Sequence, residues 1–146
     1  MTTVVDTNII AALWDRDDTL NTEAQTALDG AISRGSLVIP APVYAELMAF
    51  AGRTEDFLDA FFRRTGITVD WEMSRAVWRL AGQAFQGYAA RRRRQREAGP
   101  RRILADFVIG AYATQHNYWL LSLDEGLYRA AFPTLRMVTA LSLIHI

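Results

Sequence analysis

Short runs of aliphatic and β-branched residues alternate with helix-period segments along most of this chain, and that alternation limits the folds open to it. The runs are Val4-Val5, Leu37-Val38-Ile39, Ile67-Thr68-Val69, Tyr118 to Leu121 and Arg136 to Thr139. Most are too apolar to leave one face in water, which is the pattern of strands covered on both sides. Helices between them supply the crossovers that parallel strands need. The expectation is an α/β fold: a three-layer α/β/α sandwich with a short-stranded, mostly parallel central sheet. At 146 residues the chain has the size of one domain, expected over 1–140. Residues 141–146 form an apolar tail with no partner in this scheme and are set aside from the fold.

Punctuation residues place the elements. The first strand is predicted over Thr2 to Asp6, followed by a helix from Asn8 to Trp14. A second helix spans Asn21 to Arg34 and stops at Gly35. Pro40 ends the next strand, and Pro42 suits the first turn of a helix over Val43 to Phe50. Further helices are predicted over Thr54 to Arg64, Glu72 to about Arg96, Ile103 to His116 and Leu127 to Ala131. Gly66, Gly99-Pro100 and Asn117 mark their ends, and Ser122 to Gly126 is read as a turn.

Composition removes several kinds of chemistry. There is no cysteine, so disulfides, thiolate metal sites and thiol nucleophiles are absent. Every basic residue is arginine; without lysine there is neither a Walker A phosphate loop nor a Schiff base. Only His116 and His145 are available for a hydroxyl–imidazole triad. Carboxylates, hydroxyls and arginines remain. Formal net charge is zero, so nucleic-acid binding requires a local patch. No stretch has the layout of a signal peptide or a membrane span, and a cytoplasmic protein is expected.

Four acids stand apart from those on polar faces. Asp6 follows two valines at a strand end. Glu46 has Val43, Ala49 and Phe50 as helical neighbours. Asp106 is flanked by Ile103 and Ile109, and Asp124 follows the strand ending at Leu121. Each has a plain alternative: Asp6 and Asp124 as helix caps, Asp106 as a partner of Arg102, Glu46 as a distant partner of Arg53. Taken together they map to one edge of the sheet. Asp6 and Asp124 end strands there, and Glu46 and Asp106 are expected in the first turns of helices starting there. Two unit charges about 5 Å apart repel by roughly 3 kcal/mol at an effective dielectric of ~20. A divalent cation relieves that repulsion, and an all-oxygen donor set points to Mg²⁺ or Mn²⁺.

Val4-Val5-Asp6-Thr7-Asn8, Glu46 after the second strand, Leu104-Ala105-Asp106-Phe107-Val108-Ile109-Gly110-Ala111 and Leu120-Leu121-Ser122-Leu123-Asp124 resemble, in order and spacing, the motifs of PIN domains. The resemblance is strongest to the VapC-type toxins of bacterial toxin–antitoxin pairs, and it runs from Thr2 to about Ala140. It implies a metal-dependent endoribonuclease, a homodimer and a VapB-like antitoxin partner. It also implies that Asp6, Glu46, Asp106 and Asp124 form the acidic quartet, with Asn8 and Ser122 at the accompanying polar positions. The tail after Ala140 has no counterpart in the pattern.

Arg91, Arg92, Arg93, Arg94, Arg96, Arg101 and Arg102 form one basic cluster before Asp106. Cations complement a helix C-terminus, which explains some of them. Guanidinium groups also suit bidentate contact with phosphate, so these residues are candidate contacts for RNA or antitoxin. Two rival readings remain at this stage: a catalytically inactive scaffold that binds RNA or a partner protein, and a housekeeping nuclease outside any toxin–antitoxin pair. An aspartate phosphotransferase is disfavoured, because Asp6-Thr7-Asn8 lacks a second acid and the chain lacks the lysine such enzymes use.

Overall fold

In the computed structural model, residues 1–95 and 103–139 are described. Strands β1 (Thr2–Val5), β2 (Ser36–Pro40), β3 (Ile67–Asp70), β4 (Trp119–Ser122) and β5 (Arg136–Thr139) form a sheet in the order β3-β2-β1-β4-β5. Every pairing is parallel, so the sheet is wholly rather than mostly parallel among the described residues. In register, Val4 pairs with Val38 and Leu120, and Val5 with Leu121. Val4, Val5, Ile39, Leu120 and Leu121 are fully buried, as a sheet covered on both faces requires.

Seven helices cover the sheet among the described residues: α1 (Thr7–Trp14), α2 (Asn21–Arg34), α3 (Ala41–Met48), α4 (Glu55–Thr65), α5 (Arg75–Gln95), α6 (Leu104–His116) and α7 (Glu125–Ala131). Right-handed crossovers put α1 to α4 on one face and α5 to α7 on the other. The packing of α1 on α2 and of α5 on α6 agrees with that division. Helix α6 is buried from Phe107 through Ala113, on all sides rather than along one stripe. Gly110 makes this possible: a Cβ there would come within 2.2 Å of the Phe132 ring. Gly66 closes α4 at φ 76°, a left-handed conformation that glycine adopts without strain.

Several boundaries differ from the sequence reading. Helix α3 starts at Ala41 and ends at Met48, so Glu46 lies in its second turn and not its first. Pro42 is in the first turn, where no intrahelical N–H is needed from it. Helix α5 starts at Arg75 rather than Glu72: Ser74 caps it, its Oγ accepting from Val77 N at 3.3 Å, while Asp70 and Glu72 form a separate local turn before it. Tyr118 precedes β4, and Ser122 completes that strand rather than opening the turn. The tail 141–146, and Arg96, Arg101 and Arg102 of the basic cluster, lie outside the described residues. Among the described residues, no helix is long and apolar enough to cross a membrane.

The strand order matters for function. The chain leaves β1 toward β2 and β3 on one side, and returns to place β4 and β5 on the other. The connections after β1 and β4 therefore diverge, leaving a crevice at their carboxyl ends where ligands bind in open α/β sheets.

Candidate active site

Asp6 stands at that crevice because the sheet ladder extends one residue past β1: its N–H donates to Leu121 O at 3.0 Å. Its backbone is extended, and its Oδ1 accepts from Thr7 N at 2.8 Å, so it also caps α1. Its Oδ2 accepts from Ser122 Oγ at 2.7 Å and from Tyr128 OH at 2.9 Å. A carboxylate offers about four acceptor sites. Three are taken by the protein, and one remains.

Ser122 and Asn8 bind the two halves of the crevice together. The Ser122 hydroxyl donates to Asp6 and accepts from Asp124 N at 3.0 Å and Asn8 Nδ2 at 3.2 Å. Its one donor and two acceptor positions are thus all used. Asn8 Oδ1 accepts from Leu123 N at 3.1 Å. Helix α1 and the connection after β4 are fixed to each other by these bonds. Both residues were expected at accompanying polar positions, and here they position acids rather than line open space alone.

The other acids arrive from three elements. Glu46 Oε1 accepts from Thr7 Oγ1 at 2.7 Å, across 39 residues of sequence. Asp106 lies in the first turn of α6, where its Oδ2 accepts from Ile103 N at 3.2 Å. Asp124 caps α7, with Oδ1 accepting from Leu127 N at 3.4 Å. One cleft of about 250 Å³ is lined by Asp6, Thr7, Asn8, Ala11, Glu46, Phe50, Asp106, Asp124 and Tyr128. All four predicted acids line it.

Charge is concentrated there. Burial pushes the Asp6 carboxyl up to about 6; the Ser122 and Tyr128 bonds oppose this, and nearby Asp106 adds to it. Glu46 is also raised, by burial first and by Asp106 as well, against the Thr7 hydrogen bond. Burial and the neighbouring Asp6 hold the Tyr128 phenol far above its ordinary range, so it stays a donor.

Two cleft residues escaped the sequence reading. Thr7 lies between Asp6 and Asn8 and fastens Glu46. Tyr128 lies four residues after Asp124, one helical turn along the same face, which is the signal that could have found it. For a divalent cation, the donor chemistry fits: hard carboxylate oxygens around one cleft, with Asp106 raising both Asp6 and Glu46. Among the described residues, however, no three of the acids are gathered into a ready-made cation cluster. Asp6, Glu46, Asp106 and Asp124 are the residues that could hold such an ion.

In the basic cluster, Arg91, Arg92, Arg93 and Arg94 occupy the last turns of α5. The Phe85 ring stacks on Phe107 at 4.7 Å and Tyr88 lies 5.3 Å from Phe107, so that end of α5 is anchored beside the first turn of α6. Arg92 Nη1 donates to Tyr88 OH at 3.4 Å. The possible Asp106–Arg102 pair lies outside the described residues.

No curated protein matches the chain in sequence. Among solved structures, it is similar to VapBC2 of Rickettsia felis, solved with a DNA fragment from its promoter, at 16% identity and TM-score 0.64, over 95% of this chain and 98% of that one. It is similar to VapBC-1 of nontypeable Haemophilus influenzae at 19% identity and TM-score 0.64, over 97% and 99%. A toxin–antitoxin complex from Klebsiella pneumoniae is 20% identical with TM-score 0.64, over 94% and 97%. At such identities the likeness shows a shared fold. The PIN domain family profile matches residues 3–133, nearly the whole chain. With the profile, the fold and the acid-lined crevice in agreement, this chain belongs to the PIN domain family.

Proposed function

We propose that this protein is an endoribonuclease that needs Mg²⁺ or Mn²⁺ and serves as the toxin of a toxin–antitoxin pair. The observation that carries the reading is the convergence of Asp6, Glu46, Asp106 and Asp124, drawn from four separate elements, on one cleft at the crevice of the sheet. Burial and the neighbouring Asp106 raise both Asp6 and Glu46, the kind of perturbation that gathers at functional sites. A bound divalent cation supplies charge neutralisation at the scissile phosphate and lowers the pKa of attacking water.

The chain's own groups do the rest. Ser122, Tyr128 and Thr7 N–H hold Asp6 in one orientation, leaving one lone-pair direction toward the cleft. Glu46 Oε1 is occupied by Thr7, while its Oε2 makes no hydrogen bond among the described residues. With its raised pKa, that carboxylate is suited to accept a proton from water. Asp106 and Asp124, each fixed by a backbone N–H, complete the negative lining.

The antitoxin partner rests on a second line of support. Of the solved structures of this fold named above, the one from Klebsiella pneumoniae is a toxin–antitoxin complex, and the other two are VapBC structures. Sequencing the flanking DNA tests that part: a small adjacent reading frame encoding a DNA-binding protein would support it, and the absence of one would favour a housekeeping nuclease. The catalytic part is tested on purified protein with RNA. Cleavage is expected with Mn²⁺ or Mg²⁺, none with chelator, and none from Asp106→Asn. RNA that is bound but never cut under any of these cations would favour the inactive scaffold.

A further inference from the structure

A second cleft adjoins the acidic one. It measures about 470 Å³ and shares Asn8, Ala11 and Phe50 with it as wall. Trp14 and Arg53 also line it. The Arg53 guanidinium carbon lies 4.6 Å from the Trp14 ring centroid and 4.4 Å from that of Phe57. Trp14 is held edge-on by Phe50, Phe57 and Phe61, at 5.9, 5.6 and 5.4 Å. The cation is therefore clamped on a rigid aromatic corner.

No acid forms an ion pair with Arg53 among the described residues. Its side chain makes no hydrogen bond or ion pair among the described residues, and Nε is buried without a partner. Trp14 Nε1 is also buried and unpartnered. Leaving such donors unmade costs free energy. Asp15 and Asp18 also line the cleft, their Oδ1 atoms accepting from Asp17 N and Leu20 N. Phe50 is 41% exposed, a large aromatic face open beside the cleft.

We infer that this second cleft is a nucleotide subsite for the RNA strand that runs through the acidic cleft, with Arg53 on a flanking phosphate and Phe50 against an unpaired base. One cation with two carboxylates suits a nucleotide better than a free anion. The phosphate meets the guanidinium, and base amino groups meet Asp15 or Asp18. Aromatic faces beside single-stranded bases are a usual mode of RNA contact. The shared wall of Asn8, Ala11 and Phe50 sets the two clefts side by side, as a strand reaching from one to the other requires. This inference rests on the ribonuclease reading and adds where the substrate lies.

The test measures binding without cleavage, so that it does not depend on catalysis. A short single-stranded RNA is titrated in chelator against wild type, Arg53→Gln and Arg53→Lys, each checked for a cooperative melt. Arg53→Gln should weaken binding about tenfold and lower the slope of log K against log salt by about 0.7, the value of one single-strand phosphate contact. Arg53→Lys, which keeps the charge, should lie between. RNA should also quench tryptophan emission in wild type and much less in Trp14→Phe. Equal RNA affinity and salt slope in wild type and Arg53→Gln overturn the subsite, while metal-dependent cleavage, measured separately, leaves the ribonuclease reading standing. Unchanged RNA binding with weakened binding of an antitoxin protein would assign the cleft to that partner and overturn the inference.

Discussion

At Asp6 two demands compete. Burial favours the neutral acid, and a role in holding a cation requires the carboxylate. Only 5% of the residue is exposed, and its carboxyl is pushed from 3.8 to about 6. Because the folded value is raised, the stabilising contribution is present below the unfolded pKa and is lost as pH rises through about 6. Metal-free protein should therefore lose stability between roughly pH 4 and pH 7, on the order of 3 kcal/mol from this group. Glu46 acts in the same direction. Urea unfolding in chelator at several pH values checks this: the slope should be largely absent in Asp6→Asn. Tyr128→Phe removes one of three donors to Asp6. It should cost about 1 kcal/mol and move the Asp6 titration further up, as read by carboxyl NMR. An unmoved titration would mean that the phenol does not act on Asp6. At this scale the sequence showed the four acids, since each interrupts an apolar segment. The capping alternatives were also right for Asp6 and Asp124, because the N-terminus of a helix at a strand end is the same place as the crevice. Thr7 and Tyr128 were not legible as site residues, because their role depends on contacts made across the fold.

Among the elements, α6 carries the greatest packing demand, since Asp106 is held by the first turn of a helix buried on all sides. Gly110→Ala would drive a methyl group into the buried Phe132 ring, and should destabilise by about 1–3 kcal/mol by overpacking. Phe132→Leu in the same chain should recover part of that loss, with both changes measured by thermal melts. Full stability in Gly110→Ala alone would contradict the close approach. Helices with glycine stops were read almost to the residue, α2 and the end of α4 among them, because the stop is chemical and local. Helix starts were read less well. At α3 the two prolines hid an early start at Ala41, two residues before Val43, which put Glu46 in the second turn. At α5 the Ser74 cap sets the start at Arg75, which a helix-period pattern cannot reveal.

For the molecule as a whole, strand order decides where chemistry can occur. Alternating strands and helices foretell a parallel sheet, but not that β4 returns beside β1 and opens the crevice where β1 and β4 end. That depends on the α5–α6 segment crossing back over the sheet. The same crossing brings the basic end of α5 beside α6, through Phe85, Tyr88 and Phe107. Changing Arg92, Arg93 and Arg94 to Gln should weaken binding of single-stranded RNA and lower its salt slope by about 2, as three lost phosphate contacts require. An unchanged slope would mean that these arginines do not meet phosphate. The central claim is that acids from distant parts of the chain form one cation-dependent catalytic site. It is tested most directly by measuring RNA cleavage with Mn²⁺ and unfolding in chelator on the same samples of wild type, Asp6→Asn and Asp106→Asn. Cleavage should collapse in both variants. Metal-free stability should hold or rise, because like-charge repulsion is relieved. Variants that lose stability yet cleave at close to the wild-type rate would contradict the claim, leaving these acids as caps and nothing more.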